Sequence, residues 1–169
     1  MPESMPQSVK GKEPTGNPEE PQSLARLHAH LIFSTKNRQP LIHNTIRDAL
    51  HSYMAVVLQD LQCPASIINS VDDHVHLLFL LSRTHAVSDV VEKLKTSSSK
   101  WMKRQGQQFA EFSWQTGYGV FSVSESQSRI VQRYIARQAE HHRNSSFQDE
   151  YRAFLERHRV IYDERYVWD

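Results

Sequence analysis

An α+β fold is what this 169-residue sequence predicts, on three observations. Two short runs rich in β-formers, 66–71 and 74–81, are separated by Asp72-Asp73 and read as a hairpin. A segment of helical periodicity stands on either side of that hairpin. Further β-formers precede the first of these helices and follow the second. The resulting order β-α-β-β-α-β, with two more helices after it, has a ferredoxin-like or RRM-like centre: an antiparallel β-sheet with helices packed on one face.

Taken in order, residues 1–22 hold five of the seven prolines, with Gly, Ser and Glu between them. Such a stretch cannot bury enough apolar surface to offset its ordering entropy, so it is expected to be a disordered proline-rich tail before a domain at 23–169. Leu27, Ala29, Leu31 and Phe33 alternate with Arg26, His28, His30 and Ile32, which predicts a first strand. Its exit, Ser34-Thr35-Lys36-Asn37-Arg38, is polar and basic. Asn44 is the expected N-cap of a helix to about Leu61, with Ile46, Leu50, Tyr53, Met54, Val57 and Leu61 on its buried stripe. A second helix is expected over 88–104, on a stripe of Val87, Val90, Val91, Leu94, Trp101 and Met102. The β-formers of 112–123, interrupted by Gly117 and Gly119, predict a fourth strand. Ser124-Glu125-Ser126-Gln127 has the form of a capping box and should open a third helix to about His142. A fourth follows from Ser146 with Phe147, Tyr151, Phe154, Leu155 and His158 on one face. Tyr162, Tyr166 and Trp168 are expected to anchor the C-terminal tail.

Charge is nearly balanced at +1, but the first 22 residues hold four glutamates against two lysines. The remainder therefore carries 18 basic and 15 acidic side chains, which is compatible with a polyanionic partner. One cysteine, Cys63, excludes an internal disulfide and fits a reducing cytoplasm. No apolar run approaches the length of a membrane span.

Chemistry concentrates in two places. On a strand, His74 and His76 project to the same side, where two imidazoles can converge on one cation. By itself the pair fits two partly exposed histidines on an ordinary strand equally well. On the third helix, Tyr134, Gln138 and His141 share a face and are flanked by Arg129, Arg133 and Arg137. Alone, that tyrosine reads as a half-buried ring with its hydroxyl in water.

Together, His-Val-His on a strand and Tyr-x-x-x-Gln on a late helix resemble the HUH single-strand nucleases. More closely, the chain is similar to the insertion sequence 200-like transposases. Four blocks carry the likeness in order: Leu31-Ile32-Phe33-Ser34-Thr35-Lys36-Asn37-Arg38-Gln39-Pro40, Asp73-His74-Val75-His76-Leu77-Leu78, the stretch from Trp114 to Ser124, and Tyr134-Ile135-Ala136-Arg137-Gln138. The resemblance implies a metal-dependent transposase that cleaves and rejoins single-stranded DNA with hairpin ends. It implies Tyr134 as nucleophile, leaving a 5′-phosphotyrosine and a free 3′-hydroxyl. It implies His74, His76 and Gln138 as ligands of Mg²⁺ or Mn²⁺, and a homodimer in which the tyrosine helix of one subunit can complete the site of the other. Lys36, Arg38, Lys95, Lys100, Lys103 and Arg104 are the expected phosphate contacts. Three alternatives stand beside this: a host-adopted REP-associated-type nuclease acting on hairpins, a non-catalytic single-strand DNA-binding module, and a zinc hydrolase using His74, His76 and His141 or His142.

Overall fold

The computed structural model describes residues 23–169; the expected tail at 1–22 lies outside the described residues. Strand β1 (His28–Ser34) leads through a 3-10 turn to helix α1 (Asn44–Asp60). The hairpin β2 (Ala65–Ser70) and β3 (His74–Leu80) follows, then α2 (Val87–Lys103) and β4 (Gly119–Val123). The chain ends in α3 (Ser128–Ala136), the short α4 (Gln138–His141) and α5 (Phe147–Arg157). The four strands form one antiparallel sheet in the order β2-β3-β1-β4, as the α+β reading requires.

Strand alternation sorts the core into two layers. Ala29, Leu31 and Phe33 of β1, with Val75, Leu77 and Phe79 of β3, meet the apolar stripes of α1 and α2. The opposite face of β1 carries His28, His30 and Ile32, and there Ile32 and Phe121 pack against Phe147, Tyr151, Phe154 and Leu155 of α5. Every residue of β1 is buried because both faces are covered. Thus α1 and α2 share one face, and the C-terminal helix, beyond the ferredoxin-like centre, covers part of the other. Gly119 permits this closure, since a Cβ there would stand 2.5 Å from Cε2 of Tyr151.

Several local expectations are corrected. The fourth strand is shorter than 112–123: Trp114 forms only an isolated bridge to Thr35, and 115–118 runs as a loop whose Gly117 N–H donates to the Asp169 carbonyl. The Ser124 hydroxyl lies 3.1 Å from that of Ser126 and does not cap the helix; Glu125–Gln127 instead forms a 3-10 turn. Helix α1 has His43, not Asn44, as its N-cap, with the His43 carbonyl accepting from Ile46 N–H. Tyr166 is 65% exposed and no anchor, whereas Trp168 lies against Tyr151 and beneath the Arg152 guanidinium. The third helix breaks at Arg137 (φ −100°, ψ 21°) rather than running on to His142. Asn69 of β2 marks the break: its amide donates to the carbonyls of Ile135 at 2.8 Å and Ala136 at 3.3 Å.

Candidate metal centre and tyrosine site

Alternation on β3 puts His74 and His76 on the sheet face that α5 overlies, while Val75 enters the α1–α2 core. Both imidazoles are buried. They converge on one carboxylate, Glu150 of α5, which is only 4% exposed. Its Oε1 lies 2.8 Å from His76 Nε2, 3.2 Å from His142 Nε2 and 3.5 Å from His74 Nε2. Its Oε2 accepts a short hydrogen bond from the Tyr134 hydroxyl. Oε2 is also 3.2 Å from His141 Nε2 and 3.4 Å from Gln138 Nε2, which donates to it. Tyr134, Gln138 and His141 therefore meet at one point despite the break in their helix. Gln138 is fully buried, and its Oε1 is 2.9 Å from His142 Nε2.

Each imidazole is oriented from behind. His74 Nδ1 is 2.6 Å from Asp73 Oδ1, His142 Nδ1 is 2.8 Å from the Ser145 carbonyl, and His76 Nδ1 is 2.9 Å from Nε2 of the buried His30. Such outer partners are what metal-binding histidines carry, because they fix the tautomer and aim the free nitrogen. His74, His76, His142 and Glu150 each offer one donor atom, all within 4.8 Å of one another. The residues fit a bound divalent ion.

Electrostatics follow from burial and pairing. Burial opposes charge on His74, but hydrogen bonds with Asp73 and Glu150 outweigh it and raise its pKa. Burial dominates at His76 and lowers it to about 4. At His30 burial, reinforced by His76, pulls the pKa well below the usual value. Glu150 loses solvation, yet the hydrogen bonds of His142, His74 and His76 hold its pKa far below the carboxylate range. Burial and the Glu150 charge push the Tyr134 hydroxyl upward, so it is a phenol at neutral pH. An open cleft of about 520 Å³ adjoins Tyr134 and is lined by Arg133, Arg137 and His141.

The six expected phosphate contacts do not gather in one place. Lys36 and Arg38 lie in the turn after β1, at the sheet end where Ser34 pairs with His74. Lys100, Lys103 and Arg104 are exposed at the C-terminal end of α2, on the face opposite the histidines. Lys95 differs from both groups. Its ammonium donates to the carbonyls of Gln115 (2.9 Å), Thr116 (3.3 Å) and Gly117 (2.5 Å), and burial lowers its pKa to about 8.

The sequence does not point to Glu150 or His30 as site residues, and it names His142 only in the zinc-hydrolase alternative. A signal existed for Glu150: it follows Phe147 by three residues and precedes Phe154 by four, so a carboxylate falls on an apolar stripe. A charge there needs partners.

Known proteins agree with this architecture. The ISDra2 transposase TnpA of Deinococcus radiodurans is 27% identical over 118 residues, spanning 67% of this chain and 84% of that protein. A crystal structure from Deinococcus radiodurans, assigned as a transposase, is similar with a TM-score of 0.56 at 25% identity, covering 71% of this chain and 96% of that one. The REP-associated tyrosine transposase bound to a REP hairpin shares the fold with a TM-score of 0.54 at 14% identity, over 73% of each chain. A sequence profile described as Transposase IS200 like matches residues 23–138, more than half of the chain and inclusive of His74, His76, Tyr134 and Gln138. The chain belongs to the IS200-like transposase family.

Proposed function

We propose that the protein cleaves and rejoins single-stranded DNA through a covalent 5′-phosphotyrosine at Tyr134, with a divalent ion held by His74 and His76 and reached by the amide oxygen of Gln138. The observation that carries this reading is the shared carboxylate: Tyr134, His76 and His142 all address Glu150 within one chain.

When bound, the ion would neutralise the non-bridging oxygens of the scissile phosphate. The protein's own groups supply the rest. The phenol of Tyr134 attacks phosphorus, its proton passes to Oε2 of Glu150, and the bond from phosphorus to the 3′-oxygen breaks. That oxygen leaves as a 3′-hydroxyl after taking up a proton from solvent. Glu150 is placed for the role because its Oε2 already accepts the hydrogen bond of the Tyr134 hydroxyl. Arg133 and Arg137 border the cleft at Tyr134 and offer charge to the DNA backbone. Lys36 and Arg38 stand at the His74 end of the sheet and would offer further charge there, and Lys100, Lys103 and Arg104 would serve strand segments on the far face. The phosphotyrosine conserves the diester's energy, so a 3′-hydroxyl can later attack it and rejoin strands.

A single chain brings Tyr134 to the histidines, so this reading uses the tyrosine in cis and needs no homodimer for chemistry. The hairpin held by the structurally similar REP-associated transposase motivates the substrate. Incubation of labelled single-stranded hairpin DNA with protein and Mg²⁺ or Mn²⁺ should yield a denaturation-resistant protein–DNA adduct with wild type and none with Tyr134→Phe. Fully paired duplex should be spared, and EDTA should stop the reaction. An adduct formed equally by Tyr134→Phe sinks the nucleophile assignment; undiminished cleavage in EDTA removes the metal.

A further inference from the structure

Imidazole nitrogens and side-chain oxygens crowd together around Glu150. A carbonyl oxygen can only accept, so His142 Nδ1, 2.8 Å from the Ser145 carbonyl, carries the hydrogen. The Asp73 carboxylate, 2.6 Å from His74 Nδ1, likewise takes a hydrogen from that nitrogen. In each ring Nε2 is the atom left facing the cluster. These two nitrogens stand 2.9 Å apart. Glu150 Oε1 stands 3.2 Å from one and 3.5 Å from the other, and Gln138 Oε1 is 2.9 Å from His142 Nε2. Imidazole nitrogens, a carboxylate oxygen and an amide oxygen thus converge in one buried space, the grouping that a bound cation would hold together.

Resting on the metal-dependent reading above, we propose that His142 and Glu150 join His74 and His76 as a four-donor site that selects a nitrogen-preferring ion of the Zn²⁺, Co²⁺ or Ni²⁺ class over Mg²⁺. Three imidazoles and one carboxylate are the donors such ions take, whereas Mg²⁺ prefers an all-oxygen octahedron with several waters. The spacing agrees: neighbouring donors of a tetrahedral ion bound at about 2.0–2.1 Å are about 3.3 Å apart. Observed separations to Glu150 Oε1 run from 2.8 to 3.5 Å. Three of the four donors are buried, and His142 is partly exposed. Both added donors lie beyond residue 138, where the family match ends, so the sequence of the matched segment does not supply them.

The test uses full-length protein freed of metal with a chelator and titrated with Co²⁺, whose visible absorption is strong in tetrahedral and weak in octahedral surroundings. The expected result is the strong spectrum, abolished by one equivalent of Zn²⁺ and untouched by a thousandfold excess of Mg²⁺. Loss of an outer partner costs about 10–100-fold in affinity, so His142→Ala, which loses a donor, should weaken Zn²⁺ binding at least about 100-fold. Glu150→Gln should do the same, while Gln138→Ala, which removes only a neutral amide oxygen, should weaken it less than His142→Ala does. A weak octahedral spectrum with Mg²⁺ competing on equal terms overturns the inference from wild type alone, even if a variant fails to fold. Wild-type affinity in folded His142→Ala overturns it too, and both results leave the metal-dependent reading standing. Failure to bind any divalent ion sinks both.

Discussion

Replacing Lys95 with methionine separates an architectural lysine from a DNA-contacting one. Methionine keeps most of the apolar stem, which runs past the buried Phe33 ring, and removes the ammonium 5.0 Å from that ring's centroid. Three carbonyls lose a donor, those of Gln115, Thr116 and Gly117. The Thr116 bond is solvent-exposed and water replaces it, so the cost falls on the two part-buried bonds. With a charged donor, each contributes about 1.5 kcal/mol at the low end of its range, giving about 3 kcal/mol. In a domain of this size 1 kcal/mol moves Tm by about 2–4 °C, so Lys95→Met should melt about 6–12 °C lower. The freed loop also holds Gln115, whose Oε1 accepts the Ser34 N–H at 2.7 Å, next to the pairing of Ser34 with His74. Thermal unfolding by circular dichroism reads the shift; hairpin-DNA binding across a salt series reads the charge. Because the ammonium is already committed, the salt slope should match wild type. An unchanged Tm together with a slope reduced by about one unit, the signature of one lost phosphate contact, would refute the architectural role.

Subunit mixing tests where the tyrosine acts. With Tyr134 on the Glu150 carboxylate of its own chain, Tyr134→Phe mixed with His74→Ala should stay inactive; recovery towards half of wild type per heterodimer would place the tyrosine in trans. Acid should destabilise the metal-free protein. His76 titrates near 6.5 when unfolded and at about 4 when folded, so between these values the unfolded chain binds a proton the folded chain refuses, and stability falls as pH drops. The loss from His76 approaches about 3 kcal/mol by pH 4, and His51, lowered to about 4 by burial, adds in the same direction. His74 works the other way only near neutrality, since its raised pKa yields stability that is fully present well below pH 6.5 and lost as pH rises above it. Urea unfolding in chelator at pH 7 and pH 4.5 checks this, and equal stabilities would contradict it.

Periodicity made the architecture legible because each layer follows a local rule. A period of two marks β1 and β3, and apolar stripes at helical spacing mark α1, α2 and α5, whose ends fall within a few residues of expectation. Local rules failed where a distant group took over. The tyrosine helix has no glycine or proline at residue 137 to announce its break; the carbonyls it frees are taken by Asn69, from the other side of the sheet's hairpin. Trp114 to Tyr118 are β-formers and glycines by type, yet Lys95 and Asp169 claim the backbone groups that a strand would have paired.

The site divides along the same line. His74-Val75-His76 needs only strand alternation to put two imidazoles on one side, and Tyr134 with Gln138 needs only helical spacing, so these were readable from sequence and carry the family likeness. Nothing local joins the two motifs. Their meeting point, Glu150, lies 74 residues from His76 and 16 from Tyr134, and His142 reaches His74 across 68 residues. Which carboxylate a buried imidazole finds depends on how α5 crosses the sheet, and that is set by Gly119 admitting Tyr151 and by the apolar fit of Phe147 and Phe154. The sequence alone thus determined the motif residues and the layers they ride on. Tertiary packing decided which groups gather around Glu150, because a buried charge is tolerated only where distant partners have been brought within hydrogen-bonding reach of it.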